Sequence, residues 1–511
     1  MNESQQTTID FFLGRKVHIY GVTGAEGYAV LEWLHGLGHT QIIAHDIADS
    51  EDAVRAEWVR VHEGLTEEDA KKFEKLVRAD DIAWALGDAY AVAPNDHDII
   101  FVAQSWFRYP INSFLKRFFN DDLSVRQENM ALVWTVTRLY FALFPGTLLA
   151  VTGSDGKTTT TRMLGKIMSR FAKEQGVTCI ESGNDRTHTQ SLVAVQTATS
   201  KDFLVLEVSD RQLSFKFPLM PDVAVVTNVT PNKHMDDYGG FDSYVQTKAN
   251  LIRFQTHAQC AILNADDAAS TATLSHIGDA RRLWVSVRHR VEDGAWCDGE
   301  KFCRVTISGE SQIMKVQDLG VIGNHNWYNA LQALLAAESI GVSLETAAAA
   351  LKEFSGVPHR LQPVRIWHRL QFIEDSSGGN PANIPITIQA FKDKPLILIV
   401  GGYRPNVTTE EISGMIDALD APNSVAALLL IGQVAPKLKE LIEASTVSFR
   451  SIYVVNDLPG AFAWVREHGD KIAEHEPAVV CMTPGFESFD QYKDYRARAD
   501  HFIQLVNELS D

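Results

Sequence analysis

The stretch Val151-Thr-Gly-Ser-Asp-Gly-Lys-Thr-Thr-Thr-Thr161 constrains this chain more than any other. It follows the apolar run Thr147-Leu-Leu-Ala150, which reads as a buried strand, and opens onto Arg162-Met-Leu-Gly-Lys-Ile-Met168, which has helical spacing. Strand, glycine loop and helix start make an anion cradle. Backbone N–H groups and the helix N-terminus can face a phosphate, Lys157 adds a point charge, and the Thr158 hydroxyl suits Mg²⁺. The ligand this implies is a nucleoside triphosphate. Only two residues separate Gly153 from Gly156, where the general P-loop has four.

Around this loop the chain has room for more than one core. At 511 residues, a prior of ~150 per domain suggests three domains. A formal net charge of -18 argues against a nucleic-acid backbone as the main partner. The polar start Met1 to Asp10 lacks the regions of a secretory signal, and no run is long and apolar enough to span a membrane. Five scattered cysteines without C-x-x-C spacing favour reduced thiols, so a cytoplasmic protein is expected.

Upstream, the strand Lys16 to Tyr20 leads into Gly21-Val-Thr-Gly24-Ala-Glu-Gly27, and a second strand ends at Asp46, 19 residues beyond Gly27. This is a Rossmann-like start, with Gly24 and Asp46 as candidate substrate contacts. The loop fits a dinucleotide, a nucleotide-sugar diphosphate or an unliganded turn, and its first glycine pair has the wrong spacing for nicotinamide. Residues 51 to 95 read as charged helix, 98–103 as strand, and the segment to Tyr140 as helix again. Pro145-Gly146 closes the first domain.

In the middle region, Asp202 to Glu207 and Asp222 to Thr227 are near-continuous apolar runs, the pattern of parallel strands covered on both faces. Their polar ends deliver Glu207-Val-Ser-Asp210 and Asn228 to Asp237, which includes His234, to the edge where the P-loop lies. Glu207 reads either as a satisfied buried acid or as a metal carboxylate, and His234 as a loop histidine or a ligand. Lys248, on a helix from Tyr244, reads as a solvated lysine. Short strands and turns occupy 281–317, and an alanine-rich helix follows Gly323. Beyond Val357 five strands alternate with helices, which predicts a parallel, doubly wound sheet with polar loops at Asp375, at Gly401 to Asn406 and at Thr483 to Ser488.

With these motifs in order, the chain resembles the Mur ligase family over nearly its whole length, and most the branch that adds glutamate to UDP-N-acetylmuramoyl-L-alanine. The likeness rests on Thr152 to Thr159, Glu207 to Leu213, Asn228 to Pro231 with His234, Tyr244 to Lys248, Asn264 to Asp267, His325 to Asn329, Pro358 to Arg360, and Ser488 to Lys493. The resemblance implies an α/β protein of three domains: a Rossmann-like domain over 1–146 for the UDP-linked substrate, a central P-loop domain over 147–358, and a Rossmann-like domain over 359–511 for the amino acid. It implies ATP and two Mg²⁺ ions, a UDP-muramoyl substrate, a free amino acid and a monomer. Gly153, Ser154, Asp155, Gly156, Lys157, Thr158 and Thr159 would hold the phosphates. Thr158 and Glu207 would hold one Mg²⁺, His234 and Lys248 the other, with Lys248 carbamylated. Asn326 and Asn329 would lie near adenine, Arg360 and Asp375 would meet the nucleotide, and Asn184 would lie near the phosphates.

The sequence also departs from that pattern. Ser377 and the loop Tyr403-Arg-Pro-Asn406 stand where relatives commonly carry lysines that hold the incoming glutamate, so Arg404, Ser488 and Tyr495 become the candidate amino-acid contacts. Ala103 to Arg108 replaces a Ser-Pro-Gly in the first domain. Two further readings stay open here: a ligase using another amino acid, such as L-glutamate, or another acceptor, and a catalytically silent nucleotide-binding relative.

Overall fold

The computed structural model describes residues 3–62, 67–184, 192–231, 233–377, 379–421, 425–445 and 447–510. Asn232, within the stretch Asn228 to Asp237 singled out above, lies outside them. Three α/β sheets follow one another along the described chain. The first comprises β1 (Val17–Tyr20), β2 (Ile42–Asp46), β3 (Ile82–Leu86), β4 (Ile99–Val102) and β5 (Val133–Trp134) in the order β3-β2-β1-β4-β5, all parallel.

The central sheet comprises β6 (Thr147–Thr152), β7 (Cys179–Gly183), β8 (Phe203–Glu207), β9 (Val223–Val226), β10 (Cys260–Asn264), β11 (Arg281–Ser286), β12 (Gly294–Cys297), β13 (Lys301–Thr306) and β14 (Gly309–Lys315). Its order is β14-β13-β12-β11-β10-β9-β6-β8-β7, and only β12, β13 and β14 pair antiparallel. Leu149, Ala150 and Val151 of β6 are fully buried, as are Val225 and Val226 of β9. Burying each such valine or leucine contributes about 1.5–3 kcal/mol, so the strands that carry the P-loop are firmly anchored in the sheet.

The third sheet comprises β15 (Gln362–Trp367), β16 (Leu370–Glu374), β17 (Leu396–Gly401), β18 (Val425–Ile431), β19 (Ile452–Asn456) and β20 (Ala478–Gly485), ordered β15-β16-β20-β17-β18-β19. The expectation of a purely parallel sheet is corrected at its edge, where β15 pairs antiparallel with β16 through a tight turn at His368 and Arg369. Alternation of buried and exposed residues along an edge strand is too short a signal to separate from a loop.

Two more expectations are corrected. Residues 51–95 are not all helix: helices span Glu51–Val61 and Glu67–Val77, and Ile82–Leu86 forms the outer strand β3. The segment to Tyr140 holds 3₁₀ turns over Trp106–Arg108, Pro110–Phe118 and Gln127–Asn129, with an α-helix only at Val136–Leu143. There the apolar face belongs to an aromatic cluster, with Trp106 stacked on Phe119 at 4.2 Å, rather than to a continuous helix.

The chain divides into two compact units, one of Met1–Leu319 with Trp327–Phe354 and one of Gly320–Asn326 with Ser355–Asp511. The first unit holds two sheets whose buried residues join in one core, which includes Ile19 and Phe101 from one sheet and Leu204 and Val226 from the other. Among the described residues, no helix is long and apolar enough to cross a membrane.

Candidate active site

The P-loop is shaped by close backbone approaches. Gly153 has φ 151°, and a Cβ there would lie 1.8 Å from Thr227 Oγ1 at the end of β9, so no side chain fits. Asp155 N donates to Asn228 Oδ1 at 3.0 Å, and Thr230 N donates to Ser154 Oγ at 2.9 Å. The loop is thereby tied to the strand end beside it. The helix Lys157–Gln175 starts directly on Lys157, with Gly156 as its cap. Thr158 and Thr159 fall in its first turn, where N–H groups lack intrahelical partners.

Two lysines converge on this loop. Lys157 Nζ donates to Gly153 O and Ser154 O, each at 2.9 Å, and Lys248 Nζ donates to the same Gly153 O at 2.8 Å. Burial lowers both, Lys248 to about 8, against the pull of Asp210 beside it. The expectation of a solvated Lys248 is corrected: the side chain is fully buried. Its helix, Phe241–Ala249, presents that face inward, which charge alone did not reveal.

Glu207, at the end of β8, is 2% exposed. Its Oε1 accepts from Asn184 Nδ2 at 3.4 Å, while Oε2 has no hydrogen-bond partner among the described residues. A buried carboxylate oxygen left unpaired is costly, and a cation relieves that cost. Among the described residues no three His, Cys, Asp or Glu side chains converge on one point, so a cation here would complete its shell with hydroxyl, water and phosphate oxygens, as Mg²⁺ ordinarily does. Lysine, threonine hydroxyl, orphaned carboxylate and loop amides together fit a magnesium-bound triphosphate.

Asp210 closes the stretch Glu207-Val-Ser-Asp210, and the sequence by itself gives it no role. It starts the short helix Asp210–Leu213, capped by Ser209, and is 5% exposed. Its Oδ2 accepts from Tyr238 Oη at 2.9 Å and lies 3.5 Å from His234 Nδ1, while Oδ1 lies 3.7 Å from Lys248 Nζ. Burial alone would raise this carboxyl, but His234 and Lys248 hold it well below the usual range. No motif could have exposed it, because its partners are 24 or more residues away in sequence.

Asn329, 4% exposed, accepts from Thr160 Oγ1 at 3.1 Å, which sets it against the phosphate-loop helix. Asn184 accepts from Gln104 Nε2 at 3.0 Å, and Gln104 N donates to Glu26 Oε2 at 2.8 Å. Gln104, in the stretch that replaces Ser-Pro-Gly, thus links the glycine loop of the first sheet to the asparagine beside Glu207. Gly24 is exposed at the start of the helix Ala25–Gly36. Asp46 is 1% exposed, and its Oδ2 accepts from Thr23 N at 3.1 Å and Thr23 Oγ1 at 2.8 Å. It holds the glycine loop in shape.

The remaining candidates lie in the second unit. Asn326 donates to Ile322 O at 2.7 Å, and Arg360 is exposed. Asp375, Arg404 and Ser488 follow β16, β17 and β20, neighbours in the sheet, so they share one edge. Asp375 accepts from Leu361 N, Thr387 Oγ1 and Thr483 Oγ1, and burial pushes it up to about 6. Arg404 lies 3.5 Å from Glu411, half-exposed like its partner. Ser488 is buried, and its carbonyl accepts from Gln491 N and Tyr492 N. Tyr495 packs edge-on to His359 at 5.9 Å. At the end of β17 a Cβ on Gly402 would lie 2.1 Å from Glu487 O.

Comparison with known proteins decides the family. The model of the Mur ligase middle domain matches residues 151–337. A UDP-N-acetylmuramoylalanine--D-glutamate ligase of Desulfitobacterium hafniense is 30% identical over 377 residues, covering 74% of this chain and 78% of the relative. The chain belongs to the Mur ligase family. It is therefore an ATP-dependent amide ligase of the kind that serves peptidoglycan synthesis. A relative of the same name from Acetivibrio thermocellus is 29% identical over 500 residues, 97% of each chain. In fold, this Mur ligase matches the UDP-N-acetylmuramate-alanine ligase of Thermotoga maritima, with TM-score 0.55 and 16% identity over 96% of this chain and 99% of that one. The MurF ligase of the same organism in complex with ADP gives TM-score 0.55 at 13% identity, over 99% and 100%.

Proposed function

We propose that this Mur ligase joins glutamate, as the D isomer, to UDP-N-acetylmuramoyl-L-alanine at the expense of ATP, acting as a cytoplasmic monomer. The observation that carries this reading is that relatives named for that reaction match the chain along as much as 97% of both lengths. Gly24, Asp46 and Asn184 are assigned to the UDP-linked substrate, Asp46 through the loop it holds. Gly153 to Thr159 cradle the phosphates, with Asn326 and Asn329 toward adenine and Arg360 and Asp375 toward the nucleotide. Arg404, Ser488 and Tyr495 are assigned to the amino acid.

In this reading Thr158 and Glu207 hold one Mg²⁺, and His234 with Lys248 lines the position of a second, Lys248 being an amine or a carbamate. Bound magnesium supplies charge neutralisation at the phosphates. Lys157, released from Gly153 and Ser154, meets the β- and γ-phosphate oxygens and stabilises the charge that spreads over the transferring group. An oxygen of the acceptor carboxylate attacks the γ-phosphorus, the bond from that phosphorus to the β–γ bridging oxygen breaks, and ADP leaves with an acyl phosphate formed. The neutral amine of the amino acid then attacks its carbonyl carbon, the C–N bond forms, the C–O bond to phosphate breaks, and phosphate and one proton leave.

A second reading changes the amine. It is favoured by Ser377 at a position where the resemblance leads to a lysine, and by Arg404 being already paired with Glu411. Phosphate release with UDP-N-acetylmuramoyl-L-alanine, measured with D-glutamate, L-glutamate and a panel of other amino acids, separates the two. Release dependent on D-glutamate, with a product heavier by one glutamyl unit, is expected; a preference for another amine would overturn the first reading.

A further inference from the structure

Away from the phosphate loop, two buried histidines of the first sheet stand in one line of hydrogen bonds. His18 of β1 is 3% exposed and His45 of β2 is 0% exposed. His45 Nδ1 lies 3.0 Å from Tyr90 O, His45 Nε2 lies 2.9 Å from His18 Nδ1, and His18 Nε2 lies 3.2 Å from Asp98 Oδ2. The line begins on a carbonyl oxygen and ends on a carboxylate oxygen, neither of which donates. Its three contacts need three hydrogens. Two neutral imidazoles carry one ring hydrogen each, so whichever tautomers they take, one contact is left with two acceptors face to face. One further proton satisfies all three.

The surroundings place that proton. Asp98 Oδ2 already accepts from Asn95 N at 2.9 Å, the role of an ionised carboxylate. Burial lowers both rings, His45 to about 4, while Asp98 pulls His18 upward. The added proton therefore belongs on His18, as an imidazolium paired with Asp98. Lys16 opposes a cation there, and Arg117 lies beside Tyr20. The Tyr20 ring stacks on His45 at 4.2 Å and the Tyr90 ring stands edge-on to it at 6.3 Å; burial raises both phenols, which stay neutral.

His45 is also where the glycine loop of the first sheet is fastened. Its carbonyl accepts from Gly21 N at 2.9 Å and Val22 N at 3.3 Å, and the next residue, Asp46, holds Thr23. Opposed acceptors at the His45 ring would be relieved by movement of that ring, and its backbone carries the loop. We propose that His18, His45 and Asp98 form a proton latch under the glycine loop, closed when the line holds three hydrogens and loosened when it holds two. Binding of the acceptor at that loop accordingly takes up a proton. This link rests on the assignment of Gly24 and Asp46 to the UDP-linked substrate given above; the latch itself does not.

Histidine ¹⁵N spectra of the full chain between pH 5 and pH 9 test the latch. The ¹⁵N–¹⁵N coupling across the shared hydrogen identifies the two rings in wild type, so the result stands even where a variant fails to fold. At the acid end the pair should show three protected ring N–H groups, and raising the pH should remove one of them in a single step that moves both rings together. In His45→Phe, whose ring keeps the stack on Tyr20, one contact remains and a neutral imidazole fills it, so the step should leave this window. Calorimetry of UDP-N-acetylmuramoyl-L-alanine binding, in buffers of different ionisation enthalpy, reads the link. Above the step wild type should take up as much as one proton and lose affinity by up to about tenfold per pH unit, and His18→Phe and His45→Phe should do neither. Only two protected N–H groups at pH 5, or rings that titrate independently, would overturn the latch. Binding without proton uptake, with the step present in the spectra, would overturn the link alone. No binding of that acceptor would sink the acceptor reading and the link with it, while the spectra still decide the latch.

Discussion

The loop edge of the central sheet and the loop edge of the third sheet are built from the same architecture and left in opposite electrostatic conditions. At the first, Lys157 is held only by backbone carbonyls, Gly153 O and Ser154 O, and Glu207 carries a buried oxygen with no partner among the described residues. At the second, charge is consumed internally, with Arg404 on Glu411 and Asp375 closed by three donors. The difference teaches where this enzyme's chemistry is preset. Groups that neutralise phosphate are held ready, whereas groups that would meet an amino acid must first change partners.

The largest effect is expected at Lys157, whose charge meets only backbone carbonyls. Lys157→Ala should lower kcat by about 10²- to 10³-fold, the scale for losing one preorganised donor to developing charge. Steady-state phosphate release measures it, and a loss below tenfold would break the comparison by making the lysine a structural prop of its own loop.

The next probes the closed edge. Asp375 is raised by burial from 3.8 to about 6, so between about pH 4 and pH 6 the folded chain keeps a proton that the unfolded chain has released. Stability therefore falls as pH rises through that window. Asp375→Asn carries no charge and should remove this fall, worth on the order of 3 kcal/mol. Urea unfolding at pH 4 and pH 7 measures it; an unchanged difference would mean the carboxyl is not closed in as described.

The smallest sharpens the contrast. Glu411→Gln frees Arg404 from a half-exposed pair and should lower KM for the amino acid by about two- to fivefold with little change in KM for ATP. An unchanged or higher KM would mean that Arg404 takes no part in holding the amine substrate.

How much of this was legible in the sequence follows from how far each signal reaches. The P-loop, β6, β8 and β9 were readable because long apolar runs and fixed glycine spacing are local, and Glu207 followed from standing at a strand end. The outer strand Ile82–Leu86 and the edge strand Gln362–Trp367 were not, since each is short and partly exposed. The 3₁₀ turns over 106–129 were masked by aromatic residues that pack in three dimensions rather than along one helix face. Asp210 was invisible as a site because its meaning lies in Tyr238, His234 and Lys248, which only tertiary structure brings to it. Burial of Lys248 was likewise a tertiary fact.

The backbone at the end of β17 has a consequence for how the loop edge of the third sheet can diversify. Gly401 and Gly402 have φ of 137° and 135°, and a Cβ at either would lie within 2.1 Å of a carbonyl oxygen, Ile431 O for the first and Glu487 O for the second. Those two positions are closed to every side chain, whereas Tyr403 and Arg404 immediately follow on the same rigid frame. A mutational library across this loop should therefore concentrate its viable members at 403 and beyond, and any shift in amine preference would be inherited through side chains without reshaping the turn.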